Sequence, residues 1–177
     1  MISKLMRYQH YCKKAKGDKK MYITDMNYKY GGDYLNEKFA DYRAVQDVIN
    51  YIANNKKTRG HFGGFGCSGD PEQAMDEFYV VHDKMKGVCN QRVKHYIVAF
   101  NQLVNRNKAD EYARLIAYYF APDYQVFYGV HIEDNRTHLH FCVNAVNSID
   151  YKMIPLDYEY SKQFFQYVKG IRELSYL

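Results

Sequence analysis

The chain contains no tryptophan, only three prolines in 177 residues, and four cysteines (Cys12, Cys67, Cys89, Cys142) with no Cys-x-x-Cys pair among them. Scattered cysteines exclude a zinc ribbon and a secreted disulfide framework, and they predict a reducing, cytoplasmic setting. No apolar run approaches membrane-spanning length, so no membrane span is expected. The N-terminus, M-I-S-K-L-M-R-Y-Q-H, lacks the apolar core of a signal peptide. There is no internal repeat, low-complexity tract or linker. What the chain has in excess is tyrosine: 20 tyrosines and 10 phenylalanines bring the aromatic content to 17%. Hydrophobic residues make up 47% and the net charge is +5, with a pI near 8.8. That is enough apolar material for one real core, and the mild basic excess is compatible with nucleic acid without diagnosing it.

The most informative stretch is Val130 to Asn147, V-H-I-E-D-N-R-T-H-L-H-F-C-V-N-A-V-N, which holds three of the seven histidines. In a strand, alternate side chains share a face, so His138 and His140 point the same way while Phe141 and Val143 point into the core. His131 ends the apolar run Tyr124 to Val130. An antiparallel hairpin between the two runs returns His131 to His138 and His140, placing three imidazoles on one sheet face. That is a divalent-metal pattern with open positions. Single histidines on strands usually pack or face water. Three within ten residues, with Glu133 and Asp134 between them, favour metal binding, although a structural or storage site would use the same ligands.

The remaining pattern is α+β, an antiparallel-dominated sheet with flanking helices. Met21 to Tyr30 reads as a strand, preceded by a lysine cluster between Lys13 and Lys20. Tyr42 to Ala53 reads as a helix with the stripe Ala44, Val45, Val48, Ile49 and Ile52. It runs into a basic stop, Asn54 to Gly60. Tyr51 in its last turn reads first as an ordinary half-buried helix tyrosine. His61 to Gly69 is a glycine-rich loop leading to a helix from Asp70-Pro71 to about Lys86, with Asp as cap and Pro in the first turn. Such a loop is a phosphate seat with Ser68 as an added donor, though Asp70 and Glu72 count against an anion there. Val93 to Phe100 is a strand, Lys108 to Phe120 a helix, and Asp157 to Leu174 a last helix. The chain reads as one catalytic domain over residues 1–177, compatible with its being the N-terminal fragment of a longer protein.

Residues 45–172 resemble, in order, the relaxase/mobilisation nuclease family of the HUH endonucleases, which nick DNA during conjugation. His131, Glu133, His138, His140 and Asn144 look like the family's third motif, with Glu133 where the family more often has aspartate. N-Y-I-A-N-N-K-K-T looks like its first motif, G-C-S-G-D-P-E-Q-A its second region, and K-H-Y-I-V-A-F its central strand. The first forty residues match no part of it. The resemblance implies that Tyr51 is the nucleophile of a transesterification at an origin of transfer, forming a 5′-phosphotyrosine bond. It implies that His131, His138 and His140 hold Mn²⁺ or Mg²⁺. Glu133 would orient a histidine or move a proton, and Asn144 would position. Lys56, Lys57 and Arg59 would contact phosphates. The implied partners are single-stranded or hairpin DNA and accessory transfer proteins. Two alternatives stand beside this reading. One is a rolling-circle replication initiator or single-strand transposase using Tyr158 and Lys162; the other is a non-catalytic nucleic-acid binder with a structural metal.

Overall fold

The computed structural model describes residues 21–25, 41–87, 89, 91–100, 103–155 and 158–174. Five strands form one antiparallel sheet: β1 (Met21–Asp25), β2 (Phe62–Phe65), β3 (Val93–Phe100), β4 (Val126–Glu133) and β5 (Arg136–Asn144). Their spatial order is β1-β3-β5-β4-β2. The helices are α1 (Tyr42–Ile52), α2 (Asn55–Thr58), α3 (Pro71–Asp83), α4 (Arg106–Ala117) and α5 (Tyr158–Leu174). The expected α+β architecture is therefore present. The lysine cluster and the rest of the expected Met21–Tyr30 strand lie outside the described residues.

The sheet is covered on both faces, and the two-residue period of its strands sorts the side chains between them. Tyr96, Val98, Tyr128, Val130, Leu139, Phe141 and Val143 pack with Ala113, Ile116, Phe164 and Val168 of α4 and α5. On the other face Val93, Phe127 and Cys142 pack with Ala44, Val45, Ile49 and Ile52 of α1 and with Ala74 and Phe78 of α3. The histidines share this second face.

Capping marks most helix starts. Asp41 Oδ1 accepts from the Ala44 amide at 3.1 Å, and Asp70 Oδ1 accepts from Glu72 and Gln73, both at 3.0 Å, with Pro71 in the first turn. Asn105 caps α4, which starts two residues before the expected Lys108 and ends at Ala117, not Phe120. The largest departure is β2. Phe62-Gly63-Gly64-Phe65 lies within the expected glycine-rich loop, yet it pairs with β4 from Phe62↔Gly129 to Phe65↔Val126. Two glycines give no alternation to read, and the pairing is imposed by the strand beside it, 61–67 residues later in the chain.

Candidate active site on the histidine face

The hairpin of β4 and β5 sets the site. Its two-residue turn, Asp134-Asn135, has φ of 50° and 58°, the left-handed conformation that aspartate and asparagine tolerate. The register puts His131 directly opposite His138 and Gly129 opposite His140. Directly opposed residues share a face, so the three histidines gather as the spacing predicts. The rings of His131 and His140 are 4.3 Å apart, and His138 stands edge-on to His140 at 6.3 Å.

Gly129 admits the nucleophile candidate. A Cβ there would lie 2.8 Å from both the carbonyl oxygen and the Cγ2 of Ile52, so only glycine lets the end of α1 come this close to β4. With the helix end seated, the Ile52 carbonyl accepts from His131 Nε2–H at 2.9 Å, which satisfies a helix-terminal carbonyl. Tyr51, one residue earlier, is 40% exposed. Its ring lies edge-on to His131 at 5.1 Å, His140 at 5.3 Å and His95 at 6.2 Å. The buried stripe of α1 thus leaves Tyr51 over the histidines instead of in the core.

Asn54 begins α2, accepting from the Lys56 amide at 3.0 Å, and Arg59 ends it with φ of 49°. Arg106 on α4 ties α2 down by donating to the carbonyls of Lys57 and Thr58. Lys57 Nζ then lies 4.5 Å above the centre of the Tyr51 ring and 2.8 Å from Glu133 Oε1. Burial alone would lower the pKa of Lys57. Its hydrogen bond to Glu133 and its proximity to the Tyr51 hydroxyl and the Glu133 carboxylate outweigh this and raise it, so the cation beside Tyr51 persists at neutral pH. Lys56 and Arg59 are exposed beside it.

Burial holds the histidines neutral. It lowers the pKa of His131 and of His138. His140 is driven well below the usual range by burial, then by its histidine neighbours. Neutral imidazole is the form that binds a metal. Two ring nitrogens, His131 Nδ1 and His140 Nε2, are buried without a hydrogen-bond partner. A carbonyl can only accept, so His131 Nε2 carries the proton and His131 Nδ1 is a bare lone pair. These unpartnered nitrogens fit a divalent cation. Among the described residues, no three His, Cys, Asp or Glu side chains converge on one point.

His95 belongs to this cluster and was missed from sequence. It sits in β3 two residues from Ile97, the partner of His140, and its Nε2 is 3.2 Å from His140 Nδ1. One histidine in an apolar strand gives little signal until the register is known.

Two other predicted site residues lie elsewhere. Asn144 shares the histidine face, but four residues along the strand is about 13 Å from His140. Its side chain is buried, donating to Gln125 Oε1 at 2.7 Å and accepting from the Val146 amide at 3.0 Å. Ser68 lies at the far end of β2. Its amide donates to the Glu77 carboxylate at 2.7 Å and its hydroxyl bonds Gln73 Oε1 at 3.0 Å. The adjoining depression is lined by Asp76 and Glu77. A carboxylate thus already occupies the amide that a phosphate would need. Helix α5, which carries Tyr158 and Lys162, packs on the opposite sheet face, and Lys162 pairs with Glu159 at 3.0 Å.

The fold is an antiparallel sheet with helices on both faces, and it gathers histidines from adjacent strands beneath a helix-end tyrosine. The model of the relaxase family, MobA/VirD2-like, nuclease domain, matches residues 51–174, and the chain belongs to that family. The match begins at Tyr51 and includes every histidine of the cluster. No curated protein matches the chain. Among the described residues, no helix is long and apolar enough to cross a membrane.

Proposed function

We propose that this domain nicks one DNA strand at an origin of transfer by metal-dependent transesterification, with Tyr51 as the nucleophile. The observation that carries this reading is the Tyr51 ring lying against His131 and His140, each of which presents a buried, unpartnered nitrogen. Tyr51 Oη attacks phosphorus and the Oη–P bond forms. The P–O3′ bond breaks and a 3′-hydroxyl leaves, with the 5′-phosphate held on Tyr51. Attack by a 3′-hydroxyl reverses the step, as strand transfer requires.

His131 Nδ1, His140 Nε2 and His138 would hold Mn²⁺ or Mg²⁺. The ion would polarise the non-bridging phosphate oxygens and offset their charge. Lys57 places a fixed positive charge beside the nucleophile, and Glu133 holds that lysine in place over the Tyr51 ring. Lys56 and Arg59 contact backbone phosphates of a single-stranded or hairpin substrate, and accessory transfer proteins present that strand. Asn144, remote from the histidines, holds the end of β5 in place through Gln125 and the Val146 amide, and Ser68 organises the loop before α3. The layout with Tyr158 as nucleophile is less favoured, because α5 lies on the other side of the sheet.

The test is incubation with a random-sequence pool of single-stranded oligonucleotides in Mn²⁺. Wild type should cleave a sequence-restricted subset, and chelation or His140→Ala should abolish cleavage. Metal-independent cleavage, or none by any folded preparation, would count against the proposal.

A further inference from the structure

We propose that His95 is a positioning residue of the metal site, acting through His140; this rests on the metal-binding reading above. Its Nε2 and His140 Nδ1 are 3.2 Å apart and both rings are buried, so this is a hydrogen bond within the protein and not a contact bridged by bulk water. Two neutral imidazoles can share one hydrogen bond only if one donates and the other accepts. If His95 donated, the proton of His140 would sit on Nε2, a buried nitrogen with no acceptor near it. If His140 donates through Nδ1–H, its Nε2 is a lone pair, the form a cation takes up. The second polarity leaves no buried N–H of His140 unsatisfied and is therefore favoured.

His131 shows the same device with a different orienting group. The Ile52 carbonyl fixes its proton on Nε2 and bares Nδ1. The two ligand rings are thus fixed from opposite sides, one by the end of α1 and one by β3. The bare nitrogens, His131 Nδ1 and His140 Nε2, belong to rings 4.3 Å apart. The neighbouring strand places His95 for this role. Ile97 is opposite His140, so His95 lies on the diagonal, two residues away on the same face. Orienting groups of this kind are a recurrent requirement of histidine metal sites, and their loss weakens metal binding by about 10–100-fold.

The inference is tested on the intact chain in two ways. Nitrogen-15 chemical shifts of the metal-free wild type at neutral pH report the tautomer of His140 without any variant. Protonated Nδ1 and bare Nε2 are expected, and protonated Nε2 would overturn the inference. Mn²⁺ calorimetry then compares His95→Leu with His95→Gln, whose carbonyl oxygen also accepts. The expected result is affinity about 10–100-fold weaker for the leucine variant and within a few-fold of wild type for the glutamine variant. Wild-type affinity in a folded His95→Leu protein would refute the role of His95. No Mn²⁺ binding by wild type would refute the metal site itself, and the nitrogen shifts would still decide the tautomer.

Discussion

Replacing Gly129 with alanine adds one methyl group where α1 meets β4. That methyl carbon would stand 2.8 Å from the Ile52 carbonyl oxygen and equally close to its Cγ2. Ordinary contact begins near 3.4 Å, so the helix end must retreat by about 0.6 Å. The carbonyl is backbone and cannot swing aside, and overpacking of this kind costs about 1–3 kcal/mol. For a chain of this size that lowers the thermal midpoint by roughly 3–10 °C. Ile52 precedes the turn and follows Tyr51, so the retreat also lengthens the Ile52–His131 hydrogen bond and lifts Tyr51 off the histidines. Misplacement by about 1 Å costs on the order of 100-fold in rate, so a nicking loss of about tenfold or more is expected at temperatures where the variant is folded. Gly170 supplies the control. It lies within α5 with nothing within 4 Å of an added Cβ, so Gly170→Ala should stabilise by about 0.5–1 kcal/mol and leave nicking unchanged. Thermal melts followed by circular dichroism, paired with nicking assays, check both. A Gly129→Ala protein with the wild-type midpoint and rate would refute the close approach and its role in placing Tyr51.

Stability should fall as pH drops. Burial lowers His82 from 6.5 to about 4, so below pH 6.5 the unfolded chain binds a proton that the fold refuses. This contribution is fully present above pH 6.5 and is lost progressively toward pH 4, by about 3 kcal/mol in all; the lowered histidines of the site act in the same direction. Urea unfolding between pH 7 and 4.5 measures it, and a flat profile would contradict the neutral buried histidines. Asn144→Ala should cost about 1–3 kcal/mol, because Gln125 Oε1 and the Val146 amide lose a buried partner, while the folded variant nicks within a few-fold of wild type. Loss of nicking in a fully folded Asn144 variant would return that residue to the chemistry. Lys56→Ala and Arg59→Ala should each reduce the log–log salt dependence of single-strand binding by about 0.7, as read by fluorescence anisotropy. An unchanged slope would remove that residue from the DNA contact.

The sequence was legible where the physics is local. Alternation around His138 and His140 forced them onto one face, and the apolar spacing of α1 appeared residue for residue in the buried stripe. Asp70-Pro71 marked the start of α3 because a cap and a fixed φ act within one turn. What was not legible depends on partners distant in the chain. β2 exists because β4 pairs with it, and His95 joins the histidine cluster because β3 lies beside β5. The motif spacing put Asn144 on the correct face but could not show that its amide is committed to Gln125. The loop at Ser68 reads as an anion seat, and the hydrogen bond of its amide to Glu77, nine residues on, was not legible beforehand.

The central claim is that Tyr51 becomes joined to DNA, and one measurement tests it directly. Wild-type protein is incubated with the single-stranded pool and Mn²⁺, trapped, digested with nuclease and trypsin, and analysed by mass spectrometry. The tryptic peptide of residues 44–56 contains Tyr51 as its sole tyrosine, and the peptide of residues 153–162 contains Tyr158. The account predicts a 5′-phosphonucleotide on the first peptide, none on the second, and no adduct at all from Tyr51→Phe, whose DNA affinity should stay within a few-fold of wild type. An adduct on the second peptide, or undiminished nicking by Tyr51→Phe, would contradict it.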